Sequence, residues 1–256
     1  MIIIYLLLSL WGWIFAIFFS IFYTLCGLIF IMPPALVFDP KKRHGMHLVA
    51  VIWAKSIIAF TPFWRLKVTG QNNIQKGQSY VVVANHQSML DILAALAGIP
   101  LAIHFKFMAK KELFNVPFIG WHMGFANYIP IKRDNPQSGR QALDMAREWL
   151  RQKVSVLFFP EGTRSLDGEI KKFKAGAFKV AQDTGRPILP VVMEGTGQAL
   201  PKMSFIVKRM TYMKISIGQP VAVKPEDNLE EVAERVREEM KTRLEKIRIG
   251  NHEVGG

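Results

Sequence analysis

No charged side chain occurs between Met1 and Phe38; Asp39 is the first. An apolar helix of about 20 residues crosses the hydrocarbon core of a bilayer, so the run from Ile2 to Met32 is long enough with some excess. A cleaved signal peptide is the competing reading. It would need a basic leader, a shorter apolar region and a small-x-small site before Pro33-Pro34, and the chain offers none of these. Membrane attachment through this segment is the expectation. Lys41, Lys42 and Arg43 follow at once and predict that this end faces a cytoplasm.

A second apolar stretch, Met46 to Leu66, is interrupted by Lys55 and Pro62 and carries Trp53 and Trp64. It reads equally well as a second membrane-associated helix or as the first core helix of a soluble domain. Residues 1–66 are therefore set apart as membrane-anchoring helical segments, and 67–256 as the folded domain.

The chain has 256 residues, enough for one large domain plus an appendage, and half of them are hydrophobic. A formal net charge of +13 favours anionic partners such as phospholipid headgroups, acidic coenzymes and acidic carrier proteins. Nucleic acid is not expected, because the basic residues are dispersed and no reading motif accompanies them. The one cysteine, Cys26, excludes an intramolecular disulfide, and no Cys/His cluster has metal-ligand spacing. No metal and no cofactor are expected.

Beyond residue 66, short runs rich in β-branched and aromatic residues alternate with helical patterns. Strands are predicted at Trp64–Thr69, Tyr80–Ala84, Ile103–Met108, Tyr128–Ile131, Ser155–Phe159, Ile188–Met193 and Met213–Ile217. Helices are predicted at Met89–Ala97, Ser138–Lys153 and Ala175–Thr184, the last stopped by Gly185-Arg186-Pro187. Leu229, Val232, Val236, Met240, Leu244 and Ile247 recur at helical spacing behind a capping box of Asn228 and Glu231. This alternation predicts an α/β fold: a mixed, largely parallel sheet flanked by helices, preceded by the membrane-associated segment.

Two strings carry chemistry. Asn85-His86-Gln87-Ser88-Met89-Leu90-Asp91 follows the apolar run Val81 to Ala84. A histidine at the end of a buried strand, flanked by polar Asn85, Gln87 and Ser88, is placed to take a proton. Asp91 lies in the first turn of the next helix, where it can hold one ring nitrogen protonated and leave the other to accept. Its bland alternative is a dipole partner of that helix. Phe159-Pro160-Glu161-Gly162-Thr163-Arg164-Ser165 follows a second apolar run and brings a carboxylate, a flexible glycine and a guanidinium to one turn. A guanidinium there suits a phosphate. A surface Glu–Arg turn is the plain alternative, but Lys171, Lys172 and Lys174 follow closely.

From about residue 65 to 200 the chain resembles the PlsC-type glycerolipid acyltransferases, also called lysophosphatidic acid acyltransferases. The family's HxxxxD motif matches His86 to Asp91, and its EGTR motif matches Glu161, Gly162, Thr163 and Arg164. Its intermediate block aligns with Ala126 to Arg133, although Ala126 stands where glycine is usual and Pro130 lies inside the expected strand. Its fourth block, a proline within an apolar strand, matches Ile188-Leu189-Pro190-Val191-Val192. Lys110-Lys111-Glu112-Leu113 stands where the family has a similar basic stretch.

The resemblance implies acyl transfer from acyl-CoA or acyl-carrier protein, as co-substrate, to the sn-2 hydroxyl of 1-acyl-sn-glycerol 3-phosphate, giving phosphatidic acid. His86 would be the general base, kept in register by Asp91. Arg164 and Arg133 would hold the substrate phosphate, with Glu161 orienting a guanidinium or a substrate hydroxyl. Asn85 and Thr163 would complete the substrate-binding set, and Lys110 or a backbone N–H near Gly162 would meet the developing oxyanion. Such an enzyme is expected at a cell's inner membrane with its site on the cytoplasmic side. Another acceptor, such as glycerol 3-phosphate or another lysophospholipid, and a non-catalytic membrane-bound lipid-binding protein are the rival readings. The number of subunits is not legible in the sequence.

Overall fold

The computed structural model describes residues 2–132, 134–201, 204–206 and 211–252. The uncharged N-terminus is helical throughout: α1 (Ile2–Cys26), a π-helical turn (Gly27–Ile31) and α2 (Met32–Phe38). The 36-residue stretch Ile3–Phe38 is long and apolar enough to cross a membrane. It does not stand alone. α3 (His44–Phe60) runs back along α1, tied by Trp11 Nε1 donating to the Phe60 carbonyl (2.9 Å) and Trp53 Nε1 donating to Ser20 Oγ (3.1 Å). Ile3, Leu7, Leu10, Ile14, Ile17 and Phe18, on the outer side of α1, remain exposed.

Of the two readings left open for the second apolar stretch, the structure supports the core helix. Met46, Ala50, Val51, Ala54 and Ile57 of α3 are buried in the same cluster as the sheet residues.

Among the described residues, seven strands form one sheet in the order β1-β7-β6-β2-β5-β3-β4. They are β1 (Trp64–Thr69), β2 (Val81–Ala84), β3 (Phe105–Lys110), β4 (Ile129–Ile131), β5 (Ser155–Phe158), β6 (Ile188–Glu194) and β7 (Thr211–Ile217). Every neighbouring pair is parallel except β6–β7, which is antiparallel. The remaining helices are α4 (Leu90–Gly98), α5 (Ile119–Phe125), α6 (Pro136–Arg151), α7 (Gly176–Thr184), α8 (Thr196–Ala199) and α9 (Leu229–His252). The expected mixed, largely parallel α/β fold is what forms.

The central strands are apolar on both sides because helices cover both faces. Val82, Leu157 and Leu189 point into a core shared with α1, α3 and α4. Val81, Val83 and Val156 point into a second core shared with α6, α7 and α9. Pro190 is tolerated within β6 because it stands just before the first β6–β7 pair, Val191↔Ile217.

Departures from the sequence reading are local. β3 starts at Phe105 and not Ile103, whose N–H is spent on a turn to the Pro100 carbonyl (2.9 Å). α5 was not expected, since Gly120 and Gly124 disfavour a helix. Tertiary packing overrides them: a Cβ on Gly120 would lie 2.4 Å from the Leu113 carbonyl oxygen. At α9, Asn228 Oδ1 accepts from the Glu230 N–H (2.9 Å) and its amide donates to Glu231 (3.2 Å), close to the expected capping box.

The strand order positions the site. β6, β2, β5, β3 and β4 run the same way, so their C-terminal ends share one edge of the sheet. The chain leaves β2 through α4 on one face and leaves β5 through α7 on the other. Where connections part in this manner, a crevice opens beyond the strand ends. His86 follows β2, and Glu161 follows β5.

Candidate active site

Asp91 is fully buried in the first turn of α4, and its carboxylate gathers four donors. Oδ2 accepts from His86 Nδ1 (2.7 Å), the Gln87 N–H (2.7 Å) and the Ser88 N–H (2.9 Å). Oδ1 accepts from Thr196 Oγ1 (2.5 Å). A carboxylate oxygen already accepting two backbone bonds can only accept from the imidazole, so Nδ1 carries the proton and Nε2 presents its lone pair. The ring is stacked on Phe159, 4.1 Å between centroids and 20° between planes. Two sides of the imidazole are thus fixed, one by charge and one by an aromatic face.

The other histidines of the core are held differently. His47 Nδ1 meets the Tyr128 hydroxyl (3.1 Å), and His122 Nε2 meets the Met46 carbonyl (3.0 Å). Burial, aided by the nearby Lys106 ammonium, holds His47 down to about 3. Neither has a carboxylate on its ring.

The turn after β5 is fastened to His86 through backbone. Glu161 Oε1 accepts the His86 N–H (2.9 Å), and the Ser165 N–H donates to the His86 carbonyl (2.7 Å). Glu161 Oε2 accepts the Lys171 N–H (3.3 Å). Each carboxylate oxygen is engaged by one backbone donor, so Glu161 fastens its own loop to the segment carrying His86. Burial pushes its carboxyl up to about 7, against the pull of those two N–H groups, and the neighbouring Asp91 charge pushes the same way.

Gly162 adopts φ +75, and a Cβ there would lie 2.8 Å from Lys174 Nζ. The lysine tail therefore packs against the turn at Gly162 and brings its ammonium there. The Gly162 N–H is donated to the Phe159 carbonyl (3.1 Å). Thr163 is exposed, and Arg164 is half-buried in the same loop.

Asn85 is tied to the neighbouring strand. Its side chain donates to the Met193 carbonyl (2.8 Å) and accepts the Met193 N–H (2.7 Å), with 1% of the residue exposed. It is a strut between the end of β2 and β6. Lys110 ends β3 at the same sheet edge, two strands from β2, roughly 10 Å away by strand spacing. It is exposed and 3.8 Å from the Glu112 carboxylate. Arg133 lies outside the described residues.

The sequence reading missed the end of β6. Glu194-Gly195-Thr196 repeats the grammar of Glu161-Gly162-Thr163: an apolar strand, then an acid, a glycine with positive φ (89 at Gly195) and a threonine. That repetition was the available signal. Thr196 reaches Asp91, and Glu194 Oε2 accepts from Gln87 Nε2 (3.2 Å).

Beneath the start of α4 lies an apolar cavity of ≈ 370 Å³. Met89, Leu90, Leu93, Ala109, Trp13 and Ile57 are among its lining. The lining residues Met89 and Leu90 follow His86 by three and four positions, and an imidazole, an apolar cavity and a cationic loop so joined can serve a hydroxyl, an apolar chain and an anion.

Comparison with known proteins gives this arrangement a family. Residues 65–194 match the acyltransferase family model. The chloroplastic 1-acyl-sn-glycerol-3-phosphate acyltransferase of Arabidopsis thaliana is 38% identical over 190 residues, 74% of this chain and 52% of that protein. The 1-acyl-sn-glycerol-3-phosphate acyltransferase of Saccharomyces cerevisiae is 35% identical over 187 residues, 71% of this chain and 60% of that protein. The chain thus spans between half and two thirds of the length of these relatives. The crystal structure of the 1-acyl-sn-glycerophosphate acyltransferase PlsC from Thermotoga maritima superposes with a TM-score of 0.79 at 29% identity, covering 96% of this chain and 97% of that one. The chain belongs to the acyltransferase family, of the PlsC type.

Proposed function

We propose that this protein transfers a fatty acyl group from a thioester donor, acyl-CoA or acyl-carrier protein, to the sn-2 hydroxyl of 1-acyl-sn-glycerol 3-phosphate. The observation that carries the reading is the 2.7 Å bond from His86 Nδ1 to Asp91, which leaves Nε2 as the accepting atom of a residue whose backbone is bonded to Glu161 and Ser165. His86 Nε2 takes the hydroxyl proton as the oxygen attacks the thioester carbonyl. The tetrahedral intermediate collapses, the carbon–sulfur bond breaks, and the proton passes from His86 to the departing thiolate. The imidazolium that forms in between is stabilised by the Asp91 carboxylate. No covalent acyl-enzyme is required, since Ser88 Oγ is already committed to the Leu200 carbonyl (2.7 Å).

Arg164, with the Lys174 ammonium at the Gly162 turn and Arg133 as further cations, would hold the phosphate. The cavity beneath α4 would hold an acyl chain, its apolar lining replacing water around the methylenes. The exposed apolar side of α1 would seat the protein on the bilayer in which substrate and product reside. We place the site on the cytoplasmic side of an inner membrane, where soluble thioester donors are present.

The test is to incubate purified protein with radiolabelled lysophosphatidate and each donor in turn, then repeat with glycerol 3-phosphate and other lysophospholipids. Phosphatidic acid formed by wild type and not by His86→Ala supports the reading. Turnover of another acceptor in preference corrects the substrate. Lipid binding without turnover would leave a non-catalytic protein.

A further inference from the structure

The loop that carries Arg164 is held at both ends, and the far end is held by the C-terminal helix. Its near end is the Glu161 and Ser165 contact with His86 already described. At the far end, the Gly168 carbonyl accepts from Gln87 Nε2 (3.3 Å) and from Arg248 Nη2 (2.9 Å). Arg248 Nη1 donates to Glu169 Oε1 (2.6 Å), and Arg248 Nε lies 3.4 Å from Glu194 Oε2. Glu194 is 5% exposed and also accepts from Gln87. One guanidinium therefore joins α9, the end of β6 and the loop, and does so at the residue adjoining His86. Gly168 sits at φ +78, and a Cβ there would lie 3.0 Å from Arg248 Nη2, so the site is built for close approach of that side chain.

A loop fastened only at Glu161 would let the segment around Arg164 sample many conformations, and a ligand binding it would have to order it first. The second fastening removes that cost before the ligand arrives. Among the described residues no hydrogen bond or ion pair joins Arg248 to His86 or Asp91, and it lies far along the chain from every motif.

We propose that Arg248 is a positioning residue for the anion-binding loop: from the end of α9, paired with the buried Glu194, it presets the segment that presents Arg164. This rests on the acyltransferase reading for its kinetic consequence, and on the contacts alone for its structural one. Its guanidinium fork is what makes the device work, since one planar group serves a carbonyl and two carboxylates at once.

The experiment uses the full chain in detergent–phospholipid micelles, as wild type, Arg248→Ala, Arg248→Lys and Glu194→Gln. Acyl transfer from acyl-CoA to lysophosphatidate is followed by thiol release, and backbone hydrogen exchange is followed across residues 162–169. Arg248→Ala is expected to raise the acceptor KM about fivefold, with kcat changed less than about twofold and Tm nearly unchanged. Exchange across 162–169 is expected to quicken while β2 and β5 stay protected. Arg248→Lys is expected to recover little, because an ammonium cannot replace the fork, and Glu194→Gln to shift KM the same way by less. Unchanged KM overturns the proposal, with or without a change in exchange. So does a loss of activity that merely follows a loss of folded protein. If wild type turns over no lysophosphatidate, the acyltransferase reading falls, and the exchange comparison alone then decides the strap: unchanged exchange overturns it.

Discussion

Thr196 Oγ1 donates to Asp91 Oδ1 at 2.5 Å, while the other oxygen of the same carboxylate holds the imidazole of His86. The carboxylate that holds the imidazole is thus itself held from α8, at the end of the neighbouring strand. Removing a hydrogen bond to a charged acceptor costs roughly 1.5–3 kcal/mol when the acceptor stays buried. Thr196→Val is expected to lower kcat about tenfold with acceptor KM little changed, and Thr196→Ser to restore most of it. Equal rates for the valine and serine variants would remove Thr196 from this role.

Asp91→Asn replaces an acceptor of four hydrogen bonds with an amide that can turn only one oxygen toward them. The imidazole then loses its fixed tautomer. A fall in kcat of about two orders of magnitude or more is expected, with acceptor KM near wild type. Thermal unfolding should be measured alongside, because a buried amide facing backbone donors also destabilises. A normal rate in a folded variant would count against the pairing.

Arg164→Ala is expected to raise acceptor KM more than it lowers kcat, by about tenfold or more, since a guanidinium–phosphate fork contributes in ground state and transition state alike. The reverse pattern, with kcat alone affected, would take Arg164 out of phosphate binding.

Glu161 sets a pH dependence of stability whose sign is fixed by its environment. Its carboxyl is raised from 4.5 to about 7 in the folded chain. The folded state binds that proton more tightly than the unfolded one, so the contribution is fully present below about pH 4.5 and lost as pH rises through 7. Glu161→Gln lacks this dependence. Relative to the variant, wild type is expected to lose on the order of 2 kcal/mol between pH 4.5 and 8. Melting curves of the two proteins that run parallel across this range would exclude the effect.

Ala109 and Leu93 line the cavity beneath α4. Ala109→Phe is expected to shorten the preferred acyl chain by occupying that space, at a stability cost of about 1–3 kcal/mol from overpacking. Product analysis with donors of graded chain length checks it, and an unaltered preference would mean that the chain lies elsewhere.

Much of this molecule was legible before folding. The uncharged stretch before Asp39 could only be an apolar helix, because its backbone must satisfy itself wherever it meets lipid. The apolar runs at Val81, Val154 and Ile188 had to be buried strands, and the polar strings after them had to emerge where those strands end. Hence His86, Asp91 and the loop from Glu161 to Arg164 could be named from residue order. What order along the chain cannot specify is which strands become neighbours. The placement of β2 between β5 and β6 joined Glu161 to the His86 backbone and Thr196 to Asp91. It turned Asn85 into a strut and spent the Gly162 N–H inside its own turn. It also brought Arg248, from the far end of the chain, onto the loop. Local pattern and propensity act over a few residues, whereas hydrogen bonds between distant segments form only when packing of the two cores fixes strand order. The polar strings of the candidate site were therefore written in the sequence, and their alignment was decided by the tertiary structure.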